Sequence, residues 1–376
     1  MPATTPPTNT AAWLRSTRGD LEVGPAPYTA AAAGELVVRN AALAVNPFDW
    51  VKQVMGDSAL SWIKYPSVLG SDIAGEVVEV GPGVTRFLVG DRVIAHAVGV
   101  EKSRNRAAEG AFQQYTVVLD RLTSTIPDSL SYEDAVVLPL GVSTASSGLF
   151  QKDLLALQHP TAAPRPTGQT LLVWGGSTSV GSNAIQLAVA AGYEVIATAS
   201  PRNFEYVRGL GASQVFDYSS PTVVADLIAA FSGKTIAGAL AVAVGSGAPC
   251  AAVLAASTGR RFLALASPAV SFAKLGRRPG LVAMLGMGYR MVTSTAGLMI
   301  GGRLRGVRAK FIWGSSLMDN EVSTAVYRDF LPDALREGRY VAAPAPRVVG
   351  SGLGAVQAAL DTQRGGVSAA KIVVTL

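Results

Sequence analysis

Leu171-Leu172-Val173-Trp174-Gly175-Gly176-Ser177-Thr178-Ser179-Val180-Gly181 runs from an apolar strand through a glycine/serine turn into the start of a helix. Within it, Gly176-x-Thr178-x-x-Gly181 has the spacing of the dinucleotide fingerprint with the middle glycine replaced. In that fingerprint the first glycine permits the turn and the last lets the helix pack close to the strand. The amides at the helix N-terminus then receive a pyrophosphate. Thr178 narrows the backbone approach but brings a hydroxyl that can donate to a phosphate oxygen. Alone, the pattern also suits a purely structural strand–helix turn.

The following residues bear on that choice. A site selective for NADH needs a carboxylate about 20 positions on, at the end of the second strand, to hold the ribose 2′-hydroxyl. Here the chain reads Ala197-Thr198-Ala199-Ser200-Pro201-Arg202-Asn203, without an acid. A 2′-phosphate would be hydrogen-bonded by Ser200 and paired by Arg202, so NADPH is the expected cofactor. Arg202 also reads as an ordinary surface arginine.

Outward from the turn, the spacing predicts a helix over Val142–Leu157 and then alternation of strand and helix. Strands are expected at Thr170–Trp174, Tyr193–Ala199, Gln214–Phe216, Ala237–Val244, Arg261–Ala266 and Ala309–Trp313, with helices at Asn183–Ala191, Asn203–Leu210 and Val223–Phe231. Alternation with short connections implies a parallel sheet covered on both faces. Before it, Glu35–Val45, Ala74–Val80, Val93–Val98 and Phe112–Leu119 are β-rich runs broken by Gly, Pro and Asp, the texture of a barrel or sandwich. After it, a helix is expected over Ser323–Arg336, and β-like sequence returns at Arg347–Val349 and Ile372–Leu376, rejoining the first domain. Met1–Thr10 reads as a frayed tail and not a secretory signal.

With 376 residues, 49% hydrophobic and 15% charged, the chain can build two domains with large cores. Its net charge of +6 suits a phosphate-rich cofactor as well as a polyanion. No basic run is interleaved with aromatics, which speaks against nucleic acid. Lys102, Arg104 and Arg106 read as a solvated loop. The single Cys250 excludes an internal disulfide framework and fits a reducing, cytoplasmic setting. Leu281–Ile300 is apolar over about the length needed to span a bilayer, but Arg290 and several glycines interrupt it and no second span accompanies it. A buried helix or loop at a subunit or substrate surface is the expected reading.

Further stretches carry a family resemblance. They are Val45-Asn46-Pro47-Phe48-Asp49-Trp50, Leu69 to Val77, Val89-Gly90-Asp91-Arg92-Val93, Gly110 to Tyr115, Leu138 to Ala145, and Gly175 to Tyr218. The chain resembles the zinc-independent medium-chain dehydrogenases/reductases, in the quinone-oxidoreductase and trans-acting enoyl reductase branch. The resemblance implies an α/β protein: a GroES-like β-barrel domain over 1–138 and 318–376, and a doubly wound Rossmann domain over 139–317. It implies a cofactor in the cleft, with Ser177, Thr178 and Val180 at the pyrophosphate. Ser200, Arg202 and Asn203 would surround the 2′-phosphate, and Tyr218 would contact the adenosine end, unless it is an ordinary strand-end tyrosine. A homodimer is the family expectation.

Zinc members of this superfamily use Cys, His and often Glu. The matching positions here are Asn46 and Ser71-Asp72, so no metal is expected; His96 reads as a barrel residue. Without a Lewis acid, hydride must go to an already electron-poor substrate, an enone, enoyl group or quinone, small or acyl-linked. Thr144 matches a position lining the nicotinamide pocket in relatives. Lys52 could donate to the enolate oxygen, although relatives often place a lysine directly after the tryptophan and Val51 intervenes here; a solvated Lys52 is the other reading. Asn46 completes the catalytic candidates, and water could supply the proton. Ser271–Arg308, bordered by Lys274, Arg277, Arg278, Arg303, Arg305 and Arg308, could line an acyl site or a dimer interface. A zinc-less carbonyl or alcohol dehydrogenase, and a nucleotide-binding interaction protein with little turnover, are the alternatives.

Overall fold

In the computed structural model, which describes residues 7–273, 275–276 and 279–376, two compact units are present. One is built from residues up to Leu140 and from Tyr327 onward; the other comprises Gly141–Leu275 and Pro279–Val326. The expected domain limits were 138/139 and 317/318.

In the first unit a long strand, Glu35–Val45, organises a seven-stranded sheet. It pairs antiparallel with Asp72–Val80, with Tyr115–Leu119 and with the C-terminal strand Ala370–Thr375, which places Ile372 opposite Val45. The partners converge on it because Leu36, Val38, Leu43 and Ala44 are all fully buried. Each buried Leu or Val side chain among them contributes about 1.5–3 kcal/mol. Asp72–Val80 pairs in turn with Arg92–His96. A three-stranded sheet joins Asn9–Leu14 to Leu21–Ala26 and Ser67–Val68. Asn9 and Thr10, expected in a frayed tail, therefore begin a strand; Met1–Pro6 lie outside the described residues. Helix α1 (Pro47–Met55) follows the long strand directly, started by a Pro at its first turn and a capping box between Asn46 and Asp49.

The expected solvated loop around Arg104 needs correction. Arg104 and Arg106 clamp two buried carboxylates, Glu35 and Glu109, with N–O distances of 2.5–2.8 Å. Two acids buried together require the two guanidiniums.

In the second unit every strand pair is parallel. The main sheet order is Gln214–Asp217, Glu194–Ala199, Gln169–Trp174, Thr235–Ala241, Phe262–Leu265, Arg308–Phe311. That is the doubly wound order 3-2-1-4-5-6, whose switch point lies beside Gln169–Trp174. Leu171, Leu172, Val173, Val195, Ile196 and Ala197 are wholly buried, as a sheet covered on both faces demands. Helix α2 (Pro139–Phe150) begins three residues earlier than expected and stops at Phe150, before the turn at Gln151–Leu155. Helix α3 (Ser179–Ala190) follows the glycine turn.

Two expectations fail here for identifiable reasons. The helix expected over Ser323–Arg336 is broken into Glu321–Ser323, a π turn at Thr324–Arg328, and Leu331–Arg336. Pro332 lacks an N–H and cannot follow a helical turn ending at Arg328. The apolar Leu281–Ile300 is a helix, α4 (Leu281–Leu304), but it is not buried. Leu281, Val282, Leu285, Tyr289, Val292 and Ile300 are between 62% and 84% exposed. Among the described residues no helix is long and apolar enough to cross a membrane. Lys274, Arg277 and Arg278, expected at the border of an acyl site, lie outside the described residues.

Candidate functional site

The glycine turn leaves the sheet at the carboxyl end of Gln169–Trp174, next to the switch point. Gly175 takes φ +96°, a left-handed conformation that side chains resist. A β-carbon on Gly181 would sit 2.1 Å from the Gly175 carbonyl oxygen, so this position admits only glycine unless the backbone moves. On Gly176 it would meet Val207, Ile185 and Ala197 at 3.0–3.2 Å.

Thr178 acts differently from the expectation. It is the N-cap of α3: its hydroxyl donates to the Gly175 carbonyl (2.8 Å) and accepts from the Gly181 amide (3.0 Å). The hydroxyl hydrogen is thereby spent inside the turn, and Thr178 is not placed to give it to a phosphate. Ser177, Ser179 and Val180 remain half-buried around the helix start. The Ser179 hydroxyl oxygen is buried with no hydrogen-bond partner among the described residues. An unpartnered hydroxyl beside the open amides of a 12-residue helix suits an anionic group.

At the end of the neighbouring strand Glu194–Ala199, Ser200 donates to the Tyr218 hydroxyl (3.3 Å), so these two expected residues do meet. Arg202 and Tyr218 are exposed, and Asn203 is buried. The sequence reading passed over Asp217, which pairs in register with Ala199. Its carboxylate accepts from the Ser219 amide (2.9 Å) and hydroxyl (2.7 Å), which occupies it within its own turn. An acid spaced two residues before a serine was the available signal.

In the first unit the positions matching a metal site form a closed polar cluster. Asp72, fully buried, accepts from the Asn46 carboxamide (2.8 Å), the Lys371 ammonium (2.8 Å) and the Leu140 amide (2.6 Å). The last contact satisfies an unpaired N–H in the first turn of α2 with a negative charge. Lys371 also donates to the Asn46 carboxamide oxygen. Asp49 accepts from the Asn46 amide (2.7 Å) and, at 3.4 Å, from Ser71. Burial lifts the Asp49 carboxyl to about 7 against the pull of that amide, with Asp72 adding to the rise. His96 stands opposite Asp72 in the strand register, and burial drops its imidazole to about 4. The sequence reading missed Lys371, which lies 299 positions from Asp72 and has no local motif.

This donor set does not suit Zn²⁺. It holds no thiolate, its one central carboxylate is already neutralised by an ammonium, and a second cation would be repelled. Among the described residues no group of three His, Cys, Asp or Glu could hold a metal ion.

The three catalytic candidates fare differently. Asn46 spends both ends of its carboxamide on Asp72 and Lys371. Lys52, expected as a substrate donor or a solvated lysine, is neither: it is fully buried. Its ammonium donates to Asp57 (3.1 Å), Ala59 O (3.2 Å) and Leu60 O (3.1 Å), pinning the chain after α1, and so has no hydrogen left for a substrate. Thr144, in α2, belongs to neither network; it is half-buried and lies under Gly314, where a β-carbon would come within 2.6 Å of its hydroxyl oxygen.

Residues 32–128 match the family model of the alcohol dehydrogenase GroES-like domain. The chain is 53% identical to the dehydrogenase pigH of Monascus ruber, over 98% of this chain and 100% of that one. It is 40% identical to the trans-enoyl reductase himH of Aspergillus japonicus, over 98% and 97%. Among solved structures, an alcohol dehydrogenase superfamily protein from Novosphingobium aromaticivorans is 25% identical and covers 98% of this chain and 100% of its own, with a TM-score of 0.71. With the GroES-like segment, the doubly wound sheet and these full-length likenesses together, the chain belongs to the medium-chain dehydrogenase/reductase superfamily, in its enoyl reductase-like branch.

Proposed function

We propose that this oxidoreductase is NADPH-dependent and zinc-independent, and that it reduces an activated alkene (an enone or enoyl group) or a quinone. The observation that carries the reading is the end of the second strand. Ser200 and Tyr218 are hydrogen-bonded there, Arg202 two residues on is exposed, and Asp217, the acid in register with Ala199, is turned onto Ser219. A 2′-phosphate gains an ion pair and hydrogen bonds at such a place, whereas a ribose diol has no carboxylate to grip. The amides of Ser177, Ser179 and Val180 would hold the pyrophosphate, because those of Gly175, Gly176, Thr178 and Gly181 are spent within the turn and its neighbouring strand, and Thr178 keeps the turn closed. Bound there, NADPH supplies a hydride.

The buried Asp72–Lys371 pair supports zinc independence, because it fills the place of the metal with an internal cation. Lacking a Lewis acid, the enzyme is suited to substrates whose own conjugation accepts hydride at carbon and collects charge on oxygen. With Asn46 and Lys52 committed elsewhere, Thr144 is the remaining side chain for that oxygen or for the nicotinamide. The likeness to a protein named a trans-enoyl reductase favours the alkene over the quinone.

NADPH oxidation measured against enones, enoyl thioesters, quinones and aldehydes tests the reading. Turnover of the conjugated substrates is expected; turnover of aldehydes alone, or stoichiometric zinc in the purified protein, overturns it. Thr144→Val should lower kcat roughly 100-fold if the hydroxyl stabilises developing charge. An unchanged kcat removes it from that role.

A further inference from the structure

Helix α4 is anchored near its C-terminal end, where Leu298 and Met299 pack on the core cluster that contains Cys250 and Leu254 and where Gly302 is buried. On its outer side, at about 100° per residue, Leu281, Leu285 and Val292 line up, with Val282, Tyr289 and Ile300 beside them. All six are more exposed than buried, and the stripe runs for roughly 28 Å at about 1.5 Å per residue. Arg290, Thr293 and Ser294, also exposed, form its polar border. An apolar stripe of this length facing solvent marks a contact surface.

The charge around the stripe indicates what covers it. From Asp226 to Asp319 the sequence between contains no Asp or Glu, yet it carries eleven Lys and Arg residues. Arg290 lies midway along α4, Arg303 in its last turn, and Arg305 and Arg308 just beyond; all four are exposed. A second copy placed on this stripe would bring two arginine-bordered helices together, with like charges opposed. The complementary surface is apolar at depth and anionic at its rim.

We propose that α4 is an interfacial anchor, laying its outer stripe among the acyl chains of an anionic phospholipid surface with Arg290, Arg303 and Arg305 among the headgroups. A helix lying in the interface needs only one apolar stripe, and its arginines can extend along that stripe to reach phosphates. Because Leu298 and Met299 stay packed on the core, membrane attachment requires no unfolding of the sheet.

The full-length protein, floated with phosphatidylcholine vesicles with and without phosphatidylserine, tests this. Binding is expected to the phosphatidylserine vesicles and to weaken with salt. The paired change Leu285→Glu and Val292→Glu should abolish it, and Arg303→Gln with Arg305→Gln should weaken it about fivefold for each arginine. Both variants alter exposed positions, and an unchanged melting temperature will establish that they fold. No binding to anionic vesicles overturns the proposal, as does binding that survives the Leu285/Val292 change. Concentration-dependent dimerisation lost in that variant, or a complex with an acidic carrier protein lost in it, without vesicle binding, also overturns it and assigns the stripe to that partner instead.

Discussion

A single β-carbon at position 181 would stand 2.1 Å from the Gly175 carbonyl oxygen. Gly181→Ala must therefore push α3 away from its strand, at about 1–3 kcal/mol, and should lower the melting temperature and weaken NADPH binding together. Arg202 should separate these effects, because it is exposed and holds nothing in place. Arg202→Ala is expected to raise the KM for NADPH roughly 10- to 100-fold, at about 1.5–3 kcal/mol for a charged hydrogen bond, and to leave the KM for NADH and the melting temperature alone. Equal effects on both cofactors would rule out a 2′-phosphate contact. At this scale the sequence exposed backbone requirements well, since glycine spacing records them directly. It hid the commitment of Lys52 to Asp57 and two carbonyls, whereas a threonine ahead of a helix start does announce the Thr178 cap.

Between elements, the cluster around Asp72 ties the α1 N-terminus, the first turn of α2, two barrel strands and the C-terminal strand to one carboxylate. Two of its members titrate in opposite senses. Asp49 is raised to about 7, so the folded protein binds its proton more tightly than the unfolded chain does; its contribution to stability is full below the ordinary carboxylate range and is lost as pH rises through 7. His96 is depressed to about 4, so its contribution is full above 6.5 and is lost as pH falls through 4. Between pH 4 and 6.5 the two slopes oppose each other. Asp49→Asn should make the melting temperature rise with pH across that window relative to wild type, and His96→Gln should make it fall. Parallel profiles in both variants would show that neither group titrates as described. Elements were legible where periodicity and turn residues agreed, as at Glu35–Val45 and Gln169–Trp174. They were misread where Pro332, a visible breaker inside the expected helix, was passed over, and where an apolar run was taken as proof of burial, as in α4. The Asp72–Lys371 pair was invisible for another reason: sequence separation of that size carries no local pattern.

At the scale of the whole molecule, composition gave an excess of positive charge but not its location. The 49% apolar content fits the buried parallel sheet and the antiparallel sheets, and the doubly wound architecture implied by the family resemblance is the one the strand pairings show. The described part of the carboxylate-free stretch between Asp226 and Asp319 belongs almost wholly to the second unit, and the eleven basic residues of the stretch exceed the net charge of the entire chain. The protein is therefore electrically lopsided, which has a kinetic consequence. A polyphosphate cofactor approaching from solution is drawn toward the unit that carries the glycine turn before any contact forms. Stopped-flow measurement of NADPH binding should show an association rate that drops steeply as ionic strength rises, while the dissociation rate, set by contacts at the turn and Arg202, stays nearly constant. An association rate indifferent to salt would mean that the field is too diffuse to steer. The same lopsidedness makes the capture step, and not only the grip, sensitive to the ionic medium in which the enzyme works.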